Sequence, residues 1–253
     1  MEKNKTFTDP FYTYQIFHQS ENFKKWNEGN TISFKKYRNN WQKRPWDENP
    51  GEFPLSLNIE ITTKCNLACT FCYHRELTKE QKIHMKFDLF KKIIDEAKIY
   101  KLPAVNLNGL GEPITHPKLV DMIKYCSDSN IEDIMFHTNG TVMTEKLAKK
   151  LIEAGLTQII FSLDTTDKKT YEEMRVGANF EEVNENVERF IKVRNEMGSK
   201  LPIVKTVMVL TDKTVHHAEA FKKKWEKKSD IIAAQDLVYS FEDEEQHRYF
   251  ESV

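Results

Sequence analysis

From Leu55 to Tyr239 the sequence repeats one unit: a short apolar run with strand character, then a longer stretch whose apolar residues recur at helical spacing. Leu55–Thr62 alternates Leu55, Leu57, Ile59 and Ile61 and predicts a strand. Lys79–Lys101 carries Ile83, Phe87, Phe90, Ile93, Ile94 and Ala97 along a helical stripe. Further strands are expected at Ala104–Asn108, Asp133–His137, Gln158–Leu163, Ile203–Leu210 and Ile231–Tyr239. Helices are expected between them, at Pro117–Ser127, Thr144–Ala154, Asp167–Glu173, Phe180–Gly198 and Thr214–Lys228. Thr144 reads as an N-cap and Gly155 as the stop of the same helix. Helical crossovers return each strand to one direction, so the class is α/β with a parallel sheet. Right-handed crossovers repeated in one direction curl such a sheet into a partial (β/α)6 TIM-like barrel; an open doubly wound sheet is the alternative. In the barrel, chemistry belongs to the loops at the C-terminal ends of the strands.

Residues 1–53 follow no such rhythm. They are rich in aromatics, from Phe7, Phe11 and Tyr12 through Phe23, Trp26, Phe34 and Tyr37 to Trp41 and Trp46, and they end in the turn-rich Asn49-Pro50-Gly51-Glu52-Phe53-Pro54. Such rings need a surface to pack on. The expectation is an N-terminal extension, 1–53, strapped to a core barrel, 54–240, with an acidic tail, 241–253. A substrate- or partner-binding role for the extension is the alternative.

Composition narrows the function classes. The chain carries 38 basic and 39 acidic residues, a net charge of -1, which excludes a general nucleic-acid binder. It has no apolar run of about 18 residues, hence no expected membrane helix. The start, Met1–Phe17, has no secretory-signal pattern, and a cytoplasmic location is expected. The chain has 4 Cys, too few for a disulfide scaffold, and three of them fall within eight residues.

Those three lie directly after the first predicted strand, in Thr62-Thr63-Lys64-Cys65-Asn66-Leu67-Ala68-Cys69-Thr70-Phe71-Cys72-Tyr73. The spacing C-x3-C-x2-C lets three thiolates converge on one metal centre. A structural zinc site asks for a fourth ligand, from His74 or the distant Cys126. A ferredoxin-type cluster also takes four cysteines. A [4Fe–4S] cluster held by three leaves one iron open to a chelating molecule.

The C-x3-C-x-aromatic-C motif after a first strand resembles the radical S-adenosylmethionine superfamily, and in particular the core domain of its SPASM and twitch members. Asn108-Gly109-Leu110-Gly111-Glu112-Pro113 is similar to the family's Gly-Gly-Glu-Pro turn, with Leu110 in place of the first Gly. His137-Thr138-Asn139-Gly140-Thr141 is similar to its Thr-Asn-Gly step, Phe161-Ser162-Leu163-Asp164 to its Ile-Ser-Leu-Asp pattern, and Tyr171-Glu172-Glu173-Met174-Arg175 to its Tyr-x-x-x-Arg. The resemblance implies a partial (β/α)6 barrel whose Cys65, Cys69 and Cys72 hold a [4Fe–4S] cluster. It implies that Gly111, Glu112, Asn139, Ser162 and Arg175 hold S-adenosylmethionine, with Glu112 at its ammonium and Phe71 and Tyr73 flanking the adenine side. Reductive cleavage of that cofactor gives a 5′-deoxyadenosyl radical that abstracts hydrogen from a substrate.

The implied substrate is a peptide or protein side chain, mildly preferred, or a small metabolite. The implied electron donor is a reductant such as flavodoxin or ferredoxin. Two readings of other classes stand beside this one: a non-catalytic iron–sulfur electron-transfer or cluster-binding module, and a zinc-stabilised α/β binding protein. No cysteine follows Cys126, so no auxiliary cluster is expected, and the acidic end reads as a compact core enzyme or as a cut chain. Cys126 is expected to be a buried filler and His137 a satisfied structural histidine, while His116, in the loop after Glu112, is read first as an ordinary loop residue, with a place at the active-site mouth as the alternative.

Overall fold

The computed structural model describes residues 14–236 apart from positions 30 and 49. The calls on residues 1–13 and on the acidic tail lie outside the described residues. The strands are β1 (Tyr14–Gln19), β2 (Ser56–Asn58), β3 (Ala104–Asn106), β4 (Asp133–Thr138), β5 (Gln158–Ser162), β6 (Ile203–Leu210) and β7 (Ile231–Asp236). They form one sheet in the order β1-β7-β6-β5-β4-β3-β2. From β2 to β7 every pair is parallel and in chain order, so each crossover advances one place in the same direction. That is the connectivity of a partial (β/α)6 barrel; a doubly wound sheet reverses its order partway. β1 runs antiparallel on the free edge of β7, with a bulge between Ile16 and His18.

The helices are α1 (Glu21–Glu28), α2 (Ile32–Lys43), α3 (Phe87–Ile99), α4 (Leu119–Asp128), α5 (Glu145–Glu153), α6 (Lys168–Met174), α7 (Phe180–Glu196) and α8 (Ala218–Trp225). The Thr144 hydroxyl caps α5 by accepting from Leu147 N at 3.2 Å, and Gly155, at φ 93°, turns the chain out of the helix. Two expectations change. The first strand shortens to Ser56–Asn58, and α3 begins at Phe87 rather than Lys79. The cause is one pairing: Thr63 N bonds Ile83 O at 3.0 Å and Met85 N bonds Ile61 O at 2.8 Å, which holds residues 83–85 extended beside the strand's continuation. The aromatic N-terminal segment holds two helices that the sequence reading left without structure. Ser20 and Thr31 cap them, accepting from Phe23 N at 3.1 Å and Phe34 N at 3.0 Å.

Alternation along the strands separates two faces. Ile134, Phe136, Ile159, Phe161, Val204, Met208 and Ile232 point to the outer helices and form the main core with Phe90, Met122, Leu151, Phe190 and Trp225. On the concave face, Asn106, Met135, His137, Ser162 and Lys205 are only half-buried. The N-terminal helices close one end of that hollow. Phe23 packs on Ile160, Ile203 and Ile231, while Phe34 and Tyr37 pack on Ala104. The Tyr37 hydroxyl donates to Asp133 Oδ2 at 3.1 Å, and Asp133 also accepts from Thr157 and Gln158. Ala104, Asp133, Gln158, Ile203 and Ile231 each open their strand. The described part of the extension therefore seals the barrel floor, away from the loops that carry the motifs.

Candidate active site

The cysteine loop leaves β2 and is fixed by its neighbours. Ala68 N donates to Val176 O at 3.0 Å and Thr70 N to Met174 O at 2.9 Å, so both neighbours of Cys69 are tied to the end of α6. Cys72 N closes a turn onto Cys69 O at 3.2 Å. All three thiols are free; Cys69 is buried, and Cys65 and Cys72 are half-buried. Burial pushes the Cys65 thiol up against the opposing pull of the Leu67 N–H. Burial pushes Cys69 up to about 11, opposed by the Arg175 charge. Such thiols keep their protons until a cation replaces them.

Glu112, after β3, is 4% exposed. Its Oε1 accepts from Thr138 Oγ1 at 2.8 Å and Ile114 N at 3.2 Å, and its Oε2 from Asn139 N at 2.7 Å. Burial raises its pKa, and these donors work in the opposite direction. Glu112 N donates to Lys64 O at 2.8 Å, which binds this turn to the start of the cysteine loop. A Cβ on Gly111 would fall 2.2 Å from Thr62 O and 2.8 Å from Lys64 O. The glycine thus admits the cysteine-loop backbone. Leu110 fits because its side chain is exposed while its N–H donates to Glu60 Oε1 at 2.5 Å.

Asn139 joins a third loop to the same place. Its Nδ2 donates to Asn66 Oδ1 at 3.0 Å, inside the cysteine loop, and Asn66 Nδ2 donates to Thr141 Oγ1 at 2.7 Å. Asn186 of α7 braces this step from behind by donating to Gly140 O at 2.9 Å. The sequence reading did not single out Asn66 or Asn186; only the folded loops bring them to the Thr-Asn-Gly step.

Arg175 follows α6 and is buried. Its Nε donates to Asp164 Oδ2 at 2.6 Å, and its guanidinium lies 5.7 Å from the Phe71 ring centroid. Asp164 sits at φ 58°, a sparsely populated backbone region for a non-glycine residue, and Val209 N also bonds it at 3.2 Å. Asp164 was read only as part of a motif; its pairing with Arg175 was not anticipated. Ser162 ends β5 on the concave face, and Tyr73 stands exposed beside Cys72. His116 is buried and held by protein partners: Nε2 contacts Met85 O at 3.0 Å and Nδ1 accepts from Lys118 N at 3.0 Å. His137, expected to be a satisfied structural histidine, makes no ring hydrogen bond to a described residue. Cys126 is fully buried on α4, as a filler.

The residues present fit a [4Fe–4S] cluster. Among the described residues, His74 Nε2, Asn106 Oδ1 and the Tyr171 hydroxyl are buried without a hydrogen-bond partner. Among the described residues no three His, Cys, Asp or Glu side chains converge on a single ion. Three cysteines in one loop supply thiolates of the kind that hold iron–sulfur clusters.

A six-stranded parallel half-barrel with three cysteines on its first loop defines an α/β enzyme built around a metal cluster. Residues 59–223 match the Radical SAM superfamily, and the chain belongs to that family of enzymes, which use a [4Fe–4S] cluster and S-adenosylmethionine. A probable GTP 3′,8-cyclase of Methanococcus maripaludis is 35% identical over 138 residues, 54% of this chain and 46% of that protein. A tungsten-containing aldehyde ferredoxin oxidoreductase cofactor-modifying protein of Pyrococcus furiosus is 32% identical over 160 residues, 61% of this chain and 43% of that one. The chain thus spans about half the length of these curated relatives. Among solved structures, Streptococcus suis SuiB bound to S-adenosylmethionine superposes with TM-score 0.58 at 19% identity, over 76% of this chain and 43% of SuiB. AnSMEcpe with bound AdoMet gives TM-score 0.59 at 20% identity, over 74% and 52%. Among the described residues no helix is long and apolar enough to cross a membrane.

Proposed function

We propose that this chain is the cofactor-cleaving core of a radical S-adenosylmethionine enzyme acting on a small anionic metabolite. Cys65, Cys69 and Cys72 hold the cluster. Glu112 receives the cofactor's ammonium, Gly111, Asn139 and Ser162 line its place, and Phe71 and Tyr73 flank the adenine. The observation that carries this reading is the convergence of three strand-end loops through Lys64–Glu112 and Asn66–Asn139. When bound, the reduced cluster supplies one electron that splits the sulfonium's bond to the 5′ carbon, and the 5′-deoxyadenosyl radical takes hydrogen from substrate. The protein's part is orientation and exclusion of water. Glu112 suits a cation because its carboxylate is already fixed by three donors. Arg175 finds its counter-charge in Asp164, so we assign it to bracing Phe71 and the cysteine loop rather than to the cofactor's carboxylate.

The substrate reading rests on the concave face. Lys205 and His137 flank Ile160 on neighbouring strands, with Asn106 and Ser162 nearby along the same face. A cation and a neutral imidazole in a partly closed hollow suit a carboxylate or phosphate. The relatives named as a GTP cyclase and a cofactor-modifying protein favour a small molecule over the peptide that the motif set mildly prefers. For the electron donor we propose an acidic flavodoxin or ferredoxin. Lys64, Arg75, Lys79 and Lys82 stand against Glu76 and Glu80 around the cysteine loop.

The test is anaerobic reconstitution, reduction with dithionite and addition of S-adenosylmethionine. 5′-Deoxyadenosine is expected, and Cys69→Ala is expected to lose the cluster absorbance and the product together. An intact cluster that yields no product would favour the non-catalytic cluster-binding module. Full cluster absorbance in Cys69→Ala would overturn the ligand assignment.

A further inference from the structure

Ala104 and Ile203 pack against the N-terminal helices at the barrel floor. Side chains two residues apart share a face, so Asn106 of β3 and Lys205 of β6 stand one step above that floor, inside the hollow. Val105, Leu107 and Val204 point the other way, into the core beneath the outer helices. β4 and β5 separate Asn106 from Lys205, which puts them three strand spacings apart, about 14 Å along the curved sheet. The pairing sets Met135 beside Asn106 and Ile160 beside Lys205, and both of these pack toward Phe23. This layer of the hollow is therefore polar at each end and apolar between.

The two ends differ in chemistry. Lys205 brings a cation: burial lowers it to about 8, and it stays mostly protonated at pH 7. Asn106 brings a carboxamide whose Oδ1 is buried without a hydrogen-bond partner. A buried acceptor left unpaired is destabilising, and an apolar residue would fill the same strand position without that loss. The layer adjoins the place proposed for the cofactor. His137 is paired with Ile160, and the next residue, Thr138, donates to Glu112 Oε1 at 2.8 Å.

An unpaired carbonyl oxygen asks for an O–H or N–H, and a cation asks for an anion. An ammonium near Asn106 would share a poorly solvated hollow with Lys205 and be repelled; a hydroxyl would not. We propose that the substrate is a hydroxylated anion, a sugar phosphate or a polyhydroxy acid, whose anionic end meets Lys205 and one of whose hydroxyls donates to Asn106 Oδ1. The inference deepens the small-anion reading above and rests on it. Asn106 sets specificity by separating hydroxylated anions from hydroxyl-free ones of the same length.

The test is calorimetric titration of the reconstituted, unreduced holoenzyme with S-adenosylmethionine bound, so that nothing turns over. Ribose 5-phosphate is compared with pentyl phosphate, and gluconate with hexanoate, which also separates a phosphate from a carboxylate. In at least one pair the hydroxylated anion is expected to bind about tenfold tighter than its partner. Asn106→Leu is expected to bring that ratio near one while the anions still bind. Lys205→Met is expected to weaken both members alike and leave the ratio standing. Because the amide has no partner to lose, Asn106→Leu is also expected to hold or raise the melting temperature of the ligand-free protein. A lowered melting temperature, a misfolded Asn106→Leu or an equal loss for both members would make the amide structural and overturn the inference. So would a parent protein that shows no preference in either pair, a comparison that needs no variant and leaves the small-anion reading intact. A parent that binds none of the four anions, yet releases 5′-deoxyadenosine on reduction, would overturn the small-anion reading itself.

Discussion

The Asp164–Arg175 pair gives a prediction whose size and pH dependence both follow from the structure. Both side chains are almost fully buried, and they meet at 2.6 Å. Removing one partner of such a pair strands the other, at a cost of about 3–5 kcal/mol. The two ways of stranding are not equivalent. In Asp164→Asn the guanidinium remains and cannot shed its charge at any accessible pH, so the loss should stay near that range from pH 5.5 to 8. In Arg175→Met the stranded carboxyl can escape by taking a proton. That escape costs about 1.4 kcal/mol for each pH unit above the ordinary carboxylate value. The loss in Arg175→Met should therefore shrink by about 2 kcal/mol between pH 7 and pH 5.5.

Urea unfolding of the cluster-free protein at several pH values measures both losses. The double variant Asp164→Asn, Arg175→Met should recover part of either single loss, because no bare charge remains. Losses under about 1 kcal/mol, or an Arg175→Met loss that does not change with pH, would refute the view that this pair is a desolvated ion pair bracing the site.

Two further perturbations probe neighbouring features. Gly111→Ala places a methyl 2.2 Å from Thr62 O and 2.8 Å from Lys64 O, both backbone atoms, so the cysteine loop must move; iron bound per chain after reconstitution is expected to fall several-fold, and full iron loading would contradict the close approach. Burial depresses His137 to about 4, below the ordinary histidine value of about 6.5. The unfolded chain then binds a proton between pH 6.5 and 4 that the folded one refuses, so this contribution to stability is whole above pH 6.5 and lost as the pH falls toward 4. It is at most about 3 kcal/mol, less for a half-buried ring. His137→Gln should flatten the stability–pH curve in that window relative to the parent, and two parallel curves would show that the ring is solvated.

The parallel half-barrel was legible because each strand is bounded by turn residues and each helix carries its own apolar stripe, so local and global signals agree. The motif residues were legible as a set because they recur at successive strand ends. The N-terminal helices were not. Phe34, Tyr37 and Trp41 do fall at helical spacing, but the lysines, arginines and asparagines between them blur it, and what stabilises both helices is tertiary contact with the barrel floor. The late start of α3 was hidden because Ile83 extends the stripe while its backbone pairs with the cysteine loop. Gly111 was read as a residue that holds the cofactor; the structure shows it admitting the backbone of a distant loop, which no local pattern specifies.

The ties around the cysteine loop explain how its thiols can serve a cluster site although burial raises the pKa of Cys65 and Cys69. They come from three separate strand-end segments. Glu112 N holds the loop before Cys65, Asn139 holds Asn66 just after it, and the end of α6 holds both sides of Cys69. Each is made by groups other than the thiols. The ordering entropy of the loop is thus paid during folding, and cluster binding must chiefly displace the thiol protons. Loosening any one tie should weaken cluster retention without touching a ligand. The same reasoning makes Asn139 as much a structural clasp of the loop as a cofactor contact. Its side-chain amide is committed to Asn66 and its side-chain oxygen to Thr141.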